Sequence, residues 1–216
     1  MLRTAFLFWI SIVALGCSTQ DPEASGLPYY NTPDFTPIFI AEKIDPTTLI
    51  SHTIADFSFI DQDSQAFNQT NIEGKIHVAN FIFTTCGSIC PSMIRNMSIL
   101  SDSLQNDPSM ALVSYSVTPW IDQPAILKKY KSERGIQNKN WHFITGNKSD
   151  IYSLARTSYF AEEDLGFTKD STEFLHTEHF ILVDKKKRIR GIYNGTLKLE
   201  MHSILEDIRT LQREDN

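Results

Sequence analysis

Three cysteines, Cys17, Cys86 and Cys90, hold most of the reactive chemistry available to this 216-residue chain. Cys86 and Cys90 are spaced C-x-x-x-C, between a segment that reads as a strand and one that reads as a helix. A thiol at a helix N-terminus meets free N–H groups and the positive end of the helix dipole, which lowers its pKa and populates the thiolate. The thiolate is the form that binds metals and also the form that attacks disulfides, so the pair supports either chemistry. A purely structural disulfide is the remaining reading. A bridge closing so short a loop removes little chain entropy and stabilises little. Imidazoles come from six histidines. His176 precedes an expected central strand, so the loop that carries it can lie beside the cysteine loop, and His179, three residues on, is its rival. His52, His77, His142 and His202 read as surface or hydrogen-bonded residues.

The elements that position these groups are legible from periodicity. Residues 75–84 (KIHVANFIFT) form a nearly continuous apolar run suited to a central buried strand. In residues 91–104, Met93, Ile94, Met97, Leu100 and Leu104 recur at helical spacing, with Pro91 in a first turn that tolerates it. Upstream, 54–60 alternates in the strand manner before a polar turn at 61–65. Downstream, 110–117 reads as a strand, 123–134 as a helix, 141–145 as a short strand and 150–158 as a helix. This βαβα rhythm implies a parallel sheet covered by helices. Two strands, 179–183 and 188–193, then flank a charged turn, and an amphipathic helix over 196–211 closes an α/β sandwich. The basic run at 185–188 reads as a solvated hairpin tip. No internal repeat, low-complexity segment or second domain is evident.

Composition bounds the function. With 41% hydrophobic and 21% charged residues the chain can bury one ordinary globular core. A formal charge of -6 offers no basic face for phosphates, which excludes nucleic acid as a partner. The N-terminus reads as an address. Arg3 precedes an apolar stretch over 5–16, interrupted only by Ser11, that is too short to span a bilayer core of roughly 30 Å. Ala14-Leu15-Gly16-Cys17 resembles the lipobox of bacterial lipoproteins, although Leu stands at the second position before the Cys and not the third. The expectation is a signal peptide and lipidation cysteine over 1–17, a flexible Pro/Ser/Gly-containing tether over 18–33, and a folded domain over 34–216. Such a protein belongs in the bacterial cell envelope, anchored to a membrane through Cys17 with its domain facing the periplasm.

The segment FIFTTCGSICP, residues 81–91, resembles the T-x-C-x-x-x-C-P signature of the Sco/SenC copper chaperones. Further segments agree. Ser116-Val117-Thr118-Pro119 with Asp122 and Pro124 looks like that family's S-V-D-P-x-x-D-x-P stretch, and WHFITG at 141–146 looks like its W-x-x-L-T-G. His176-Thr177 precedes Asp184 as the family's H-S/T precedes its strand-ending Asp. The resemblance covers about residues 50–212. It implies a thioredoxin-like fold with a central mixed sheet flanked by helices. It also implies copper held by Cys86, Cys90 and His176 and supplied to the binuclear copper site of cytochrome c oxidase, on subunit two, or to another copper-receiving protein. The donor set suits this: two soft thiolates and an imidazole make a low-coordinate Cu(I) site, able to hold Cu(II) if a further ligand joins, whereas structural zinc wants a fourth ligand.

The chain departs from the family pattern at Gly87, where Pro is frequent, and at Leu175 and Thr118, where Asp is. The alternative function is an envelope thiol–disulfide oxidoreductase, with Cys86 and Cys90 as a redox pair reducing the target's cysteines. Against a general oxidoreductase stand the C-x-x-x-C spacing and the absence, in DSTEFLHTEHFILV (170–183), of the proline that thioredoxins carry before the equivalent strand. A thiol peroxidase would want proline seven residues before the first Cys, where this chain has Ala79. A copper sensor or store using the same three ligands would share every feature except delivery.

Overall fold

The computed structural model describes residues 26–41, 43–161 and 177–214. Within them run nine strands: β1 (Tyr29–Tyr30), β2 (Pro37–Ile38), β3 (Ser58–Asp61), β4 (Ala66–Asn68), β5 (Ile76–Ile82), β6 (Met110–Ser116), β7 (Trp141–Thr145), β8 (His179–Val183) and β9 (Ile189–Asn194). The helices are α1 (Cys90–Leu104), α2 (Pro124–Glu133), α3 (Lys148–Ser153) and α4 (Glu200–Glu214). The strands form one sheet in the order β2-β1-β9-β8-β5-β6-β7-β3-β4. β5, β6 and β7 are parallel, while β8 joins β5 antiparallel on its other side and pairs with β9. The expected mixed sheet flanked by helices is therefore what the chain builds. Among the described residues no helix is long and apolar enough to cross a membrane.

The apolar run of β5 sits at the middle of this sheet because both of its faces are covered. Ile76, Val78 and Ile82 face Met93, Met97 and Leu100 of α1, together with Leu127 of α2 and Ile204 and Ile208 of α4. Ala79 and Phe81 face the opposite layer, where Tyr115, Phe57, Phe59 and Phe67 pack with Ile151 and Tyr152 of α3. Each face is one half of a period-two alternation. Met97 is fully buried at the centre of the α1 seam, so Met97→Ala should cost about 2–5 kcal/mol.

Three expectations need correction. Of the strand expected at 54–60, only Ser58 onward pairs with neighbours. The Ile54 N–H instead donates to Lys187 O (2.8 Å), so 54–57 is pinned against the β8–β9 turn, and its alternation reports burial and not pairing. The tether expected up to residue 33 ends sooner. Tyr29–Tyr30 joins the sheet beside β9, and Arg190 stacks on the Tyr29 ring at 3.9 Å while donating to the carbonyls of Pro28 (3.0 Å) and Leu27 (2.8 Å). Arg190 also pairs with Glu214 (2.8 Å), whose other oxygen accepts from the Leu27 N–H (3.2 Å). The last residue of the basic run, Arg188, is not solvated: it folds back onto Asp184, which accepts from its Nε (2.8 Å) and caps the turn through the N–H groups of Lys186 and Arg188.

Candidate thiol site

β5 runs out at Ile82 and the chain turns at once. The Cys86 N–H donates to Phe83 O (3.2 Å), closing a four-residue turn, and α1 begins at Cys90 with Pro91 in its first turn. No side chain caps this helix start: the Ser92 and Met93 N–H groups turn back onto Ile89 O (2.9 and 3.0 Å) and Pro91 has no N–H, which leaves the Cys90 N–H for another acceptor. Cys86 is that acceptor. Burial by itself raises its pKa, but donation from the Cys90 backbone N–H, the Cys90 thiol and the N–H groups of Ser88 and Ile89 outweighs burial and lowers the thiol below its ordinary value. Cys90 behaves oppositely. It is 3% exposed, on the inward face of α1 with Met93, Ile94 and Met97, and burial pushes its pKa up to about 12, with a smaller push from Cys86 beside it. Both are free thiols. The expectation that a helix N-terminus lowers the pKa thus holds for Cys86 and fails for Cys90, where desolvation exceeds the benefit of the backbone donors.

The S-V-T-P-x-x-D stretch lies across from this turn. Asp122 is fully buried and accepts from Thr84 Oγ1 (2.5 Å) on Oδ1, and from Thr84 N (3.1 Å), Ser116 Oγ (2.6 Å) and Thr118 Oγ1 (3.0 Å) on Oδ2. The loop after β6 is thereby fastened to the loop after β5. Close by, Tyr130 of α2 is buried and its hydroxyl pKa is raised to about 12, chiefly by that burial, with Arg134 lying over its ring at 3.4 Å. The glycine of the WHFITG stretch has a packing reason: a Cβ on Gly146 would lie 2.6 Å from the Phe59 ring.

The histidines divide clearly. His176 and Cys17 lie outside the described residues. His179 begins β8, and its ring packs edge-on against Phe35 (5.4 Å), which belongs with the layer opposite α1. His52 stacks on Phe160 (4.1 Å) and its Nε2 meets Ser158 O (2.8 Å). His77 is buried, with Nε2 against Tyr159 Oη (3.0 Å), and burial lowers its pKa to about 3. His142 packs on Phe67 (4.8 Å) and is lowered to about 4 by burial first and by Lys131 second. His202 is exposed on α4. Among the described residues no three His, Cys, Asp or Glu side chains group as a metal site, so the two thiols have no third donor there.

A central strand that runs into a C-x-x-x-C turn at the start of a helix, within a mixed sheet covered on both faces, defines a thioredoxin-like thiol protein. More narrowly, the chain belongs to the SCO1/SenC family, whose model matches residues 46–213. It is similar to the SCO1 protein homolog of Bacillus subtilis (strain 168), 29% identical over 163 residues, or 74% of this chain and 83% of that one. A Stutzerimonas stutzeri protein named for copper binding is 26% identical over 149 residues, 68% of this chain and 72% of its own. Among solved structures, a SCO1/SenC family lipoprotein from Bacillus anthracis str. Ames superposes with a TM-score of 0.65 at 27% identity, covering 74% of this chain and 95% of that one. BsSco, described with a disulfide switch and as a member of the Sco family of cytochrome c oxidase assembly proteins, gives 0.63 at 29% identity, covering 74% and 93%.

Proposed function

We propose that this protein binds copper through Cys86, Cys90 and His176 and delivers it to the binuclear copper site of cytochrome c oxidase during assembly. The observation that carries the reading is the pair of free thiols at the start of α1, one partly exposed and facing backbone donors that lower its pKa, the other buried. Two thiolates suit Cu(I), and a metal bound there displaces the Cys90 proton. Strand register supports His176 as the third ligand. His77 pairs with Val183, so β8 begins at the end of the sheet where β5 finishes, and Thr177, the neighbour of His176, is buried there. The His179 ring is engaged with Phe35 in the other layer, which makes it the weaker candidate. Membership of a family with a copper-binding relative and a cytochrome c oxidase assembly relative favours both cargo and recipient. The same reading places Cys17 on a lipid, with the domain facing the periplasm.

The unequal thiols also favour a second reading, thiol–disulfide exchange with the target's cysteines, in which Cys86 attacks and Cys90 resolves. Anaerobic copper titration of the reduced chain from Ser18 onward, with X-ray absorption, separates the two. One copper per chain with two sulfurs and one nitrogen, the nitrogen lost in His176→Ala and kept in His179→Ala, is expected. No retained copper, with a Cys86–Cys90 disulfide of accessible potential, selects exchange instead. Cys17→Ser should release the full chain from membranes to the soluble fraction.

A further inference from the structure

The loop after β6 supplies neither a thiol nor a proposed ligand, yet it carries a fully buried carboxylate. Removing a carboxylate from water is strongly unfavourable unless donors replace the solvent. Asp122 has four, all neutral, and two of them belong to one residue, Thr84, through its backbone N–H and its hydroxyl. Thr84 stands two residues before Cys86 and inside the turn that the Cys86 N–H closes onto Phe83 O. Its main-chain orientation is therefore set by a loop from a different strand. The other two donors, Ser116 and Thr118, flank the same loop, and the Asp122 N–H returns to Thr118 O (2.9 Å), so the carboxylate is held before it holds Thr84.

We propose that Asp122 is a positioning residue for Cys86: by gripping Thr84 at main chain and side chain, it sets the turn that presents the Cys86 sulfur to the start of α1. The inference rests on Cys86 being the working thiol of the proposed function, and it does not depend on copper being the cargo. It explains why Asp and Thr occur together in this pattern. Thr offers a hydroxyl donor beside its own N–H, and a carboxylate accepts both at once. Asn at 122 would present an NH2 group to donors and could keep only part of the set.

The test uses the reduced full-length protein and two readouts that a merely structural role would leave alone. One is the rate of iodoacetamide alkylation at Cys86, read by peptide mapping, and the other is the midpoint potential of the Cys86–Cys90 pair in glutathione buffers. Thr84→Val keeps shape and backbone N–H but removes the hydroxyl donor, Thr84→Ser restores it, and Asp122→Asn weakens the acceptor. Ser114→Ala, which removes a buried hydroxyl bonded to Asn80 (2.7 Å) and Trp141 (2.9 Å), controls for loss of stability alone. Thr84→Val and Asp122→Asn should each change the alkylation rate about five-fold and move the potential, as expected for one lost charge-assisted hydrogen bond, with Thr84→Ser within about two-fold of the parent and Ser114→Ala unchanged. Melting temperatures that fall in Thr84→Val and Asp122→Asn while rate and potential stay at parent values overturn the proposal. If Asp122→Asn does not fold, the Thr84→Val and Thr84→Ser pair decides alone. Copper titration run in parallel separates the two readings: no retained copper alongside the expected alkylation pattern overturns the cargo and supports the positioning role.

Discussion

With Cys86 replaced by Ser in one protein and Cys90 by Ser in another, the thiol that remains should alkylate at very different rates. Burial first, with Cys86 beside it adding a smaller push, moves Cys90 from 9.0 to about 12, which lowers its thiolate population about a thousand-fold at any pH well below 9. A more basic thiolate is also more nucleophilic. With a slope of about 0.4–0.5 that returns roughly 20–30-fold, leaving Cys90 about 30–50-fold slower than an ordinary cysteine. Removing Cys86 takes away its own push on Cys90, but burial is the largest cause and persists. Cys86 shifts the opposite way and is partly exposed, and in Cys90→Ser the backbone donors from Ser88, Ile89 and position 90 remain. At about pH 8, then, Cys86→Ser, which loses the push from Cys86 and keeps that of burial, should react with iodoacetamide at least about 10-fold more slowly than Cys90→Ser, and in denaturant the two should converge. Native-state rates within about two-fold of each other would refute the argument that burial, and not sequence position at the helix start, governs the second thiol.

Three further outcomes follow from other parts of the fold. His77 is kept neutral in the folded protein while the unfolded chain takes up a proton below about pH 6.5; its contribution is intact above that value and is lost as pH falls toward 3. Denaturant unfolding should therefore show about 2 kcal/mol less stability at pH 5 than at pH 7 from this group, and His77→Gln should remove about half of what the two buried histidines lose together, because His142, lowered to about 4, contributes a similar drop over the same range. Gly146→Ala would drive a methyl to 2.6 Å from the Phe59 ring, within an aromatic stack that includes Phe57 and Tyr115, and should cost about 1–3 kcal/mol by denaturant midpoint. Arg190→Met removes the donors to Leu27, Pro28 and Glu214, and amide hydrogen exchange at Tyr29 and Tyr30 should rise while exchange in β5 stays slow; unchanged exchange at Tyr29 would mean that packing alone holds the segment.

The elements nearest the thiols were legible because their signals are local. The nearly continuous apolar run of β5 and the i, i+4, i+7 spacing of Met93, Met97 and Leu100 announce a buried strand and a one-faced helix, and the cysteines fall between them. What escaped the sequence depends on partners far along the chain. The two-residue strand at Tyr29–Tyr30 carries no periodicity, and its place is decided by Arg190 and Glu214, more than 150 residues away. The alternation at 54–60 was real, but alternation reports which side chains are buried and cannot say whether a strand lies alongside. The two thiols looked equivalent because both sit near a helix start, and only packing reveals that one of them faces the core. Asp122 was visible as part of a motif, whereas its grip on Thr84 required two loops to be brought together.

The Arg190 and Glu214 grip on the N-terminal segment also fixes a geometry of attachment. Glu214 lies in the last turn of α4, next to Gln212, which donates to Asp107 in the turn leading to β6 (2.7 Å). The chain therefore enters at the pole where β5 and β6 begin, whereas the cysteines sit at the pole where β5 ends. Seven residues of β5 separate the two by roughly 20–25 Å. Nine residues from Cys17 to Gly26 reach at most about 30 Å. If Cys17 is the mooring point, the sulfurs can stand up to about 50 Å from it at the far pole of the domain, and a partner embedded in the same membrane meets them by raising its own site or by the domain tipping over on its tether.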